Sequence, residues 1–108
     1  MSISLIIYKP KNESQRMISV PVATERFFSD YWKPNALGLG LELVPQFSSG
    51  IVVGEEELND IRRELSILRS WAVGQNETPE SVHVIDRIDR VMAALPDLVS
   101  SYTKVYIG

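Results

Sequence analysis

Cysteine is absent from this chain, and histidine occurs once, at position 83. The first absence removes disulfides, thiolate nucleophiles, iron–sulfur clusters and thiolate zinc sites together. The second removes any histidine-based metal cluster, so a metal site would have to come from carboxylates alone. A catalytic triad is equally unsupported, since no nucleophile-elbow sequence accompanies His83. Long apolar runs are lacking too: none approaches the ~18 residues of a membrane span, and the first residues lack the basic and apolar regions of a signal peptide. A small chain without disulfides suits a reducing compartment, and the expected location is the cytoplasm. Clusters of Lys and Arg are missing as well. With a net charge of −3, the protein is poorly suited to neutralising phosphates, and direct nucleic-acid binding is disfavoured.

What is present describes one folding unit. The 108 residues, 44% of them hydrophobic, suffice for one core and are short for two, so residues 1–108 are expected to form a single domain. Ile3 to Tyr8 is rich in β-branched residues with apolar side chains on both faces, as in an interior strand. Turn residues at 10–14 lead to a second run, Arg16 to Val22, so a hairpin is expected, with Pro21 placing that run at a sheet edge. Thr24 is an N-cap for a short helix through Lys33, carrying Phe27, Phe28, Tyr31 and Trp32, and Pro34 is expected to end it. Leu41, Leu43 and the residues to Phe47 suggest a third strand, and Ile51–Val53 a very short one. The glycines at 38 and 40 do not make a dinucleotide-binding loop, because Leu43 stands where the third glycine belongs.

Gly54 opens the principal helix. Leu58, Ile61, Leu65, Leu68 and Ala72 recur at spacings of three and four, forming one stripe that needs a covering surface. Gly74 stops this helix, and Thr78-Pro79-Glu80 starts another as N-cap, N1 proline and first-turn acid. On that helix Val82, Ile85, Ile88, Met92 and Leu95 trace a stripe widened by Val84 and Val91; Asp86 and Arg90 are spaced to bridge, and Pro96 is expected to end or kink it. The short connection predicts an antiparallel helical hairpin. Tyr102–Ile107 alternates like a strand and is expected beside Ile3–Tyr8. The expected class is therefore α+β: a small, mostly antiparallel sheet packed against two long antiparallel helices plus a short aromatic helix.

Charge is concentrated in the middle of the chain, where residues 54–80 hold three Arg against seven acids. First-turn acids such as Glu55, Glu56 and Glu57 interact favourably with unpaired helix N–H groups, which accounts for them structurally. The sharper reading joins Glu55, Glu56 and Asp60 with Glu77 and Glu80 in an acidic patch that docks a basic protein, with Tyr31 and Trp32 adding an aromatic contact.

In format the chain resembles the small immunity proteins of bacterial toxin systems, which are acidic and cysteine-free. The residues nearest to a signature are Tyr31-Trp32-Lys33-Pro34 through Leu37-Gly38-Leu39, followed by Glu64-Leu65-Ser66-Ile67-Leu68. The resemblance implies a non-catalytic protein with no cofactor or metal that binds a cognate toxin, often a nuclease domain, and blocks it by contact. No site is carried over by position. The competing expectation is a self-associating structural or adaptor protein, with the terminal strands or the helical hairpin as a dimer face. Monomer and homodimer are both open at this point. A pocket built from the aromatic helix and glycine loop, for an enzyme or carrier, is the third reading.

Overall fold

The computed structural model describes residues 1–108 and bears out the α+β architecture. Strands β1 (Ser2–Ile7), β2 (Ser19–Thr24), β3 (Ile51–Val53) and β4 (Val105–Ile107) form one antiparallel sheet in the order β2-β1-β4-β3. The two terminal strands are thus its interior pair, and β2 and β3 are its edges. The terminal strands therefore offer a sheet face, and not a free edge, to any second copy. Pro21 sits on edge strand β2 opposite Ser4, beside a register irregularity at Ile3/Ser4. An edge tolerates proline because one side of the strand needs no ladder donor.

The connection from β1 to β2 carries a single helical turn, α1 (Glu13–Arg16), capped where the Asn12 side chain accepts from Gln15 N–H at 2.9 Å. After β2, Thr24 caps α2 (Glu25–Phe27) by accepting from Phe27 N–H at 3.1 Å. Pro34 does not end this helix. The chain widens into a π-helical turn (Phe28–Trp32) and continues as α3 (Lys33–Gly38). Lys33 N–H reaches back five residues to Phe28 C=O, and the wider turn relieves the carbonyls that a proline ring would otherwise strike.

Residues 41–47 are not a strand. Val44–Ser48 is a 3-10 turn, and the N–H groups before it are taken by a side chain rather than a neighbouring strand. Glu64, only 3% exposed, accepts from Leu43 N–H at 2.9 Å, Val44 N–H at 3.0 Å and Glu42 N–H at 3.3 Å. A strand would have needed a partner ladder; the carboxylate satisfies the same donors locally.

Helices α4 (Glu55–Val73) and α5 (Pro79–Leu98) make the expected hairpin over the sheet. Ile61, Leu65, Leu68 and Ala72 are buried, with Leu58 half-buried at the stripe's start. Arg69 clamps Asp89 across the hairpin with bonds of 2.7 and 3.2 Å, which holds the Asp89 carboxyl below its usual range and raises the Arg69 guanidinium. On α5 the buried stripe is Ser81, Val84, Ile88, Val91 and Leu95; Val82, expected in it, is 53% exposed. The axis of burial is turned because α5 packs against β2 as well as α4. Asp86 and Arg90 do bridge, at 3.1 Å. Pro96 lies inside α5, which runs two residues further. A proline there costs about 3 kcal/mol, but the last turn buries Leu95, Leu98 and Val99 wholly or partly, at roughly 1.5–3 kcal/mol for a full side chain. Packing wins. The final strand is shorter than the sequence suggested: Tyr102 and Thr103 do not pair, and Lys104 adds only one bond, accepting from Tyr8 N–H at 2.9 Å.

Strand alternation sends Ile3, Leu5, Ile7, Val105 and Ile107 into one core cluster with the helical stripes, Phe28, Trp32 and Phe47. The opposite sheet face carries Ile6, Tyr106 and Val52 in register, with Ile6 41% exposed. Tyr106 lies against glycine on two sides: a Cβ at Gly108 would come within 2.6 Å of its ring, and one at Gly50 would overlap the phenol.

Candidate functional site

The residues singled out from the sequence separate into three places. Trp32 is wholly buried, stacked on Phe28 at 5.8 Å, so it belongs to the core and not to a partner surface. The error has a geometric cause: the π turn rotates residues 28 and 32 inward together and leaves 27 and 31 outside.

Glu55, Glu56 and Asp60 are exposed on the first turns of α4. With Glu57, Gly54, Ser100, Ser101 and Lys104, the first-turn acids line a polar cleft of about 220 Å³. Glu57 turns back to accept from Gly54 N–H at 3.2 Å, closing the helix start. Glu77 and Glu80 are also exposed, but they flank the turn from α4 to α5. At about 1.5 Å per residue, the length of α4 keeps the two groups roughly 27 Å apart along the hairpin. They do not form the single patch expected from the sequence.

At the turn end a different set converges. Tyr31 stacks on Phe27 with ring centroids 5.4 Å apart and meets Trp71 of α4 at 5.7 Å. Phe27 in turn receives the edge of His83 from α5 at 5.1 Å. Four rings from three elements therefore make a half-buried ribbon across the hairpin, with Asp30 exposed beside Tyr31 and Glu80 one turn from His83. Val73 lies two residues beyond Trp71, roughly 200° round the helix, so a second feature occupies the other flank. This is an apolar hollow of about 300 Å³ lined by Ala72, Val73, Ser81, Val82 and Ile85, with Glu77 on its rim. Rings, aliphatic side chains and acids thus share one end of the molecule.

No protein-family model matches this chain, and neither a curated protein nor a solved structure matches it. The local chemistry must speak for itself.

His83 is partly buried, and that burial, with the neighbouring Arg87, pushes its pKa below the usual value; Asp86 pulls weakly the other way. No three Asp, Glu or His side chains converge in the geometry of a metal site. No helix is long and apolar enough to cross a membrane. Three members of the ring ribbon, Phe27, Trp71 and His83, were not among the candidate binding residues drawn from the sequence. Trp71 had a signal: a tryptophan one residue off the apolar stripe of α4 marks a flank covered by something other than the sheet. The third reading, a pocket between the aromatic helix and the glycine loop, meets a different arrangement: Phe28 and Trp32 fill the space against Phe47, and Gly38 and Gly40 face open surroundings.

Proposed function

We propose that this protein is a non-catalytic binding module that neutralises a cognate toxin by protein–protein contact, docking through the turn end of the α4–α5 hairpin. The observation that carries the reading is the meeting of Tyr31 and Trp71 near exposed acids at the turn end of the hairpin, with an apolar hollow on its opposite flank. Aromatic side chains that are held in place yet half-exposed give large contact area at low entropic cost, and binding energy concentrates on them. Glu77 and Glu80 would steer a partner that presents basic side chains, such as a nuclease domain. Inhibition follows from occupation of the toxin's active site or substrate path and asks no chemistry of this chain. The resemblance in format to immunity proteins supports the same reading.

The test is a pull-down with tagged protein from its native cells at low and high salt. One stoichiometric basic partner, weakened by salt and lost with Tyr31→Ala plus Trp71→Ala, is the expected result. Retention of that partner by the double variant would remove the turn end from consideration. Recovery of no protein but this one would count against the toxin reading altogether.

A second reading, self-association, is favoured by one specific feature: the sheet face bearing Ile6, Tyr106 and Val52. Sedimentation of a monomer at micromolar concentration would sink it. A dimer dissociated by Ile6→Glu would establish it.

A further inference from the structure

We propose that Arg87 and His83, with the hydroxyls of Ser2 and Thr24, form a binding site for a single carboxylate group. The site lies where the start of β1, the end of β2 and the first half of α5 meet, in a cavity of about 230 Å³. Its polar side chains are those four. In a chain with 14 acidic residues, none contributes to these walls.

Arg87 is the observation that sets this cavity apart. Arg16, Arg26, Arg69 and Arg90 each meet a carboxylate within 4.0 Å, and the exposed Arg62 and Arg63 are solvated. Arg87 is half-buried and meets none. Its Nη1 donates to Pro21 C=O at 3.5 Å, a long contact, and its Nε is buried without an acceptor. The adjacent Asp86 is committed to Arg90 at 3.1 Å. A guanidinium partly removed from water and lacking a counterion is unfavourably placed, and a carboxylate is the group that its planar fork matches with two bonds.

The other walls supply donors. Thr24 Oγ1 already accepts from Phe27 N–H at 3.1 Å, which leaves its own O–H to donate. Ser2 makes no side-chain hydrogen bond within the protein and lines the same space. His83 is braced edge-on against Phe27 at 5.1 Å; burial and Arg87 keep it neutral at pH 7, with one ring N–H to offer. The charge available at pH 7 is therefore that of one guanidinium. It balances one negative charge, which favours a carboxylate over the dianion of phosphate. At roughly 30 Å³ per water, the cavity is large enough for a carboxylate with a few carbon atoms attached. That carboxylate belongs to a small acid or to the end of a peptide, and the chemistry recognised is the same. The assignment does not depend on the toxin reading.

The experiment is a titration of isotopically labelled protein followed by amide and imidazole chemical shifts, at pH 7 and constant ionic strength in chloride. The probes are sodium acetate, inorganic phosphate, and a tetrapeptide with a free or an amidated C-terminus. Acetate is expected to give saturable shifts at Ala23, Thr24 and His83. Arg87→Gln should weaken saturation about tenfold or more, Arg87→Lys less, and Ser2→Ala about twofold to threefold. A free peptide acid saturating well below acetate, with no response to its amide, identifies a chain terminus; equal saturation identifies a small acid. If Arg87→Gln does not fold, Arg87→Lys carries the comparison, because it keeps the charge and loses the fork. Linear drift with every probe, saturation by phosphate ahead of acetate, or variants that titrate like the parent would each overturn the proposal.

Discussion

The two ends of the α4–α5 hairpin are made of similar residue types put to different uses. At the β3–α4 end, Glu55, Glu56 and Glu57 stand over unpaired helix N–H groups, with Lys104 across a polar cleft. Glu57 is taken up by Gly54 N–H, while Glu55 and Glu56 form no ion pair and interact only with the positive end of the helix. At the turn end, Tyr31, Phe27 and Trp71 are held by one another while remaining half-exposed, and Glu77 and Glu80 have no ion-pair partner. The difference teaches that an acid or aromatic becomes available to a partner when its position is fixed by neighbours that do not consume its exposed part. The same contrast recurs within single elements, between Trp32 and Tyr31 and between Glu64 and Glu55. Those pairs are where the comparison can be broken.

The largest effect is expected at Trp32. Truncation by Trp32→Ala removes a fully buried ring stacked on Phe28 and should cost about 3–5 kcal/mol in urea unfolding. Trp32→Phe should cost clearly less, because it also removes a buried indole N–H that has no acceptor. A stability loss at Trp32 no larger than at exposed Leu37 of α3 would erase the division between the buried and exposed sides of the continuous helix from α2 to α3.

Next is Glu64→Ala, expected to cost about 2–4 kcal/mol by leaving the N–H groups of Leu43 and Val44 without their acceptor. Glu64→Gln should fall between, since its amide offers one acceptor oxygen and turns an NH2 toward donors. Hydrogen exchange at Leu43 and Val44 is the direct readout: both amides should lose protection in Glu64→Ala while α5 keeps its own.

Glu64 also marks how far the sequence could be read. The starts of α2, α4 and α5 were legible because Thr24, Gly54 and Thr78 cap where side-chain or backbone chemistry requires it, whereas α1, capped by Asn12, was read as a turn and the start of the second strand. The interior position of β1 and the edge position of β2 were legible from apolar faces and Pro21. Residues 41–47 were not, because their donors are satisfied by a carboxylate some twenty positions away. A signal existed even so: Glu64 falls three residues after Ile61 and four before Leu68, inside the apolar stripe, where a charge is sustained only by buried partners. The candidate docking end was half legible. Tyr31, Glu77 and Glu80 were named, but their neighbours Trp71 and His83 come from elements whose mutual placement no spacing encodes. The π turn, which decides that Tyr31 and not Trp32 faces outward, is a tertiary accommodation of Pro34.

Tyr31→Ala should invert the pattern seen at Trp32. A hot-spot loss of about 2 kcal/mol, or roughly thirtyfold in partner affinity, is expected with less than about 1 kcal/mol of stability lost from the half-exposed ring. Calorimetric titration against the captured partner and parallel unfolding measure both quantities. Equal losses in the two would mean that the ribbon is merely structural.

His83 sharpens the comparison through pH. Its folded pKa lies below the ordinary 6.5, lowered by burial and by Arg87. The unfolded chain therefore takes up a proton that the native protein resists. The stabilising contribution is complete above pH 6.5 and declines as pH falls through that value toward the native pKa. His83→Gln should flatten this segment of the stability profile. An unchanged slope would detach His83 from the ring ribbon's energetics.

The smallest effects belong to the first turn of α4. Glu55→Gln with Glu56→Gln should cost about 0.3–1 kcal/mol per site at low ionic strength, diminishing with salt as exposed helix-end charges are screened. Partner affinity should change by less than about threefold, as for charges outside an interface core. Glu57→Gln is different in kind, since Glu57 accepts from Gly54 N–H and a glutamine oxygen can keep that bond. A loss of partner binding in the Glu55/Glu56 variant comparable to that of Tyr31→Ala would reverse the assignment of the two ends. It would mean that these acids reach a partner despite their local use, and that exposure, rather than freedom from backbone duty, decides which end of the hairpin is the docking surface.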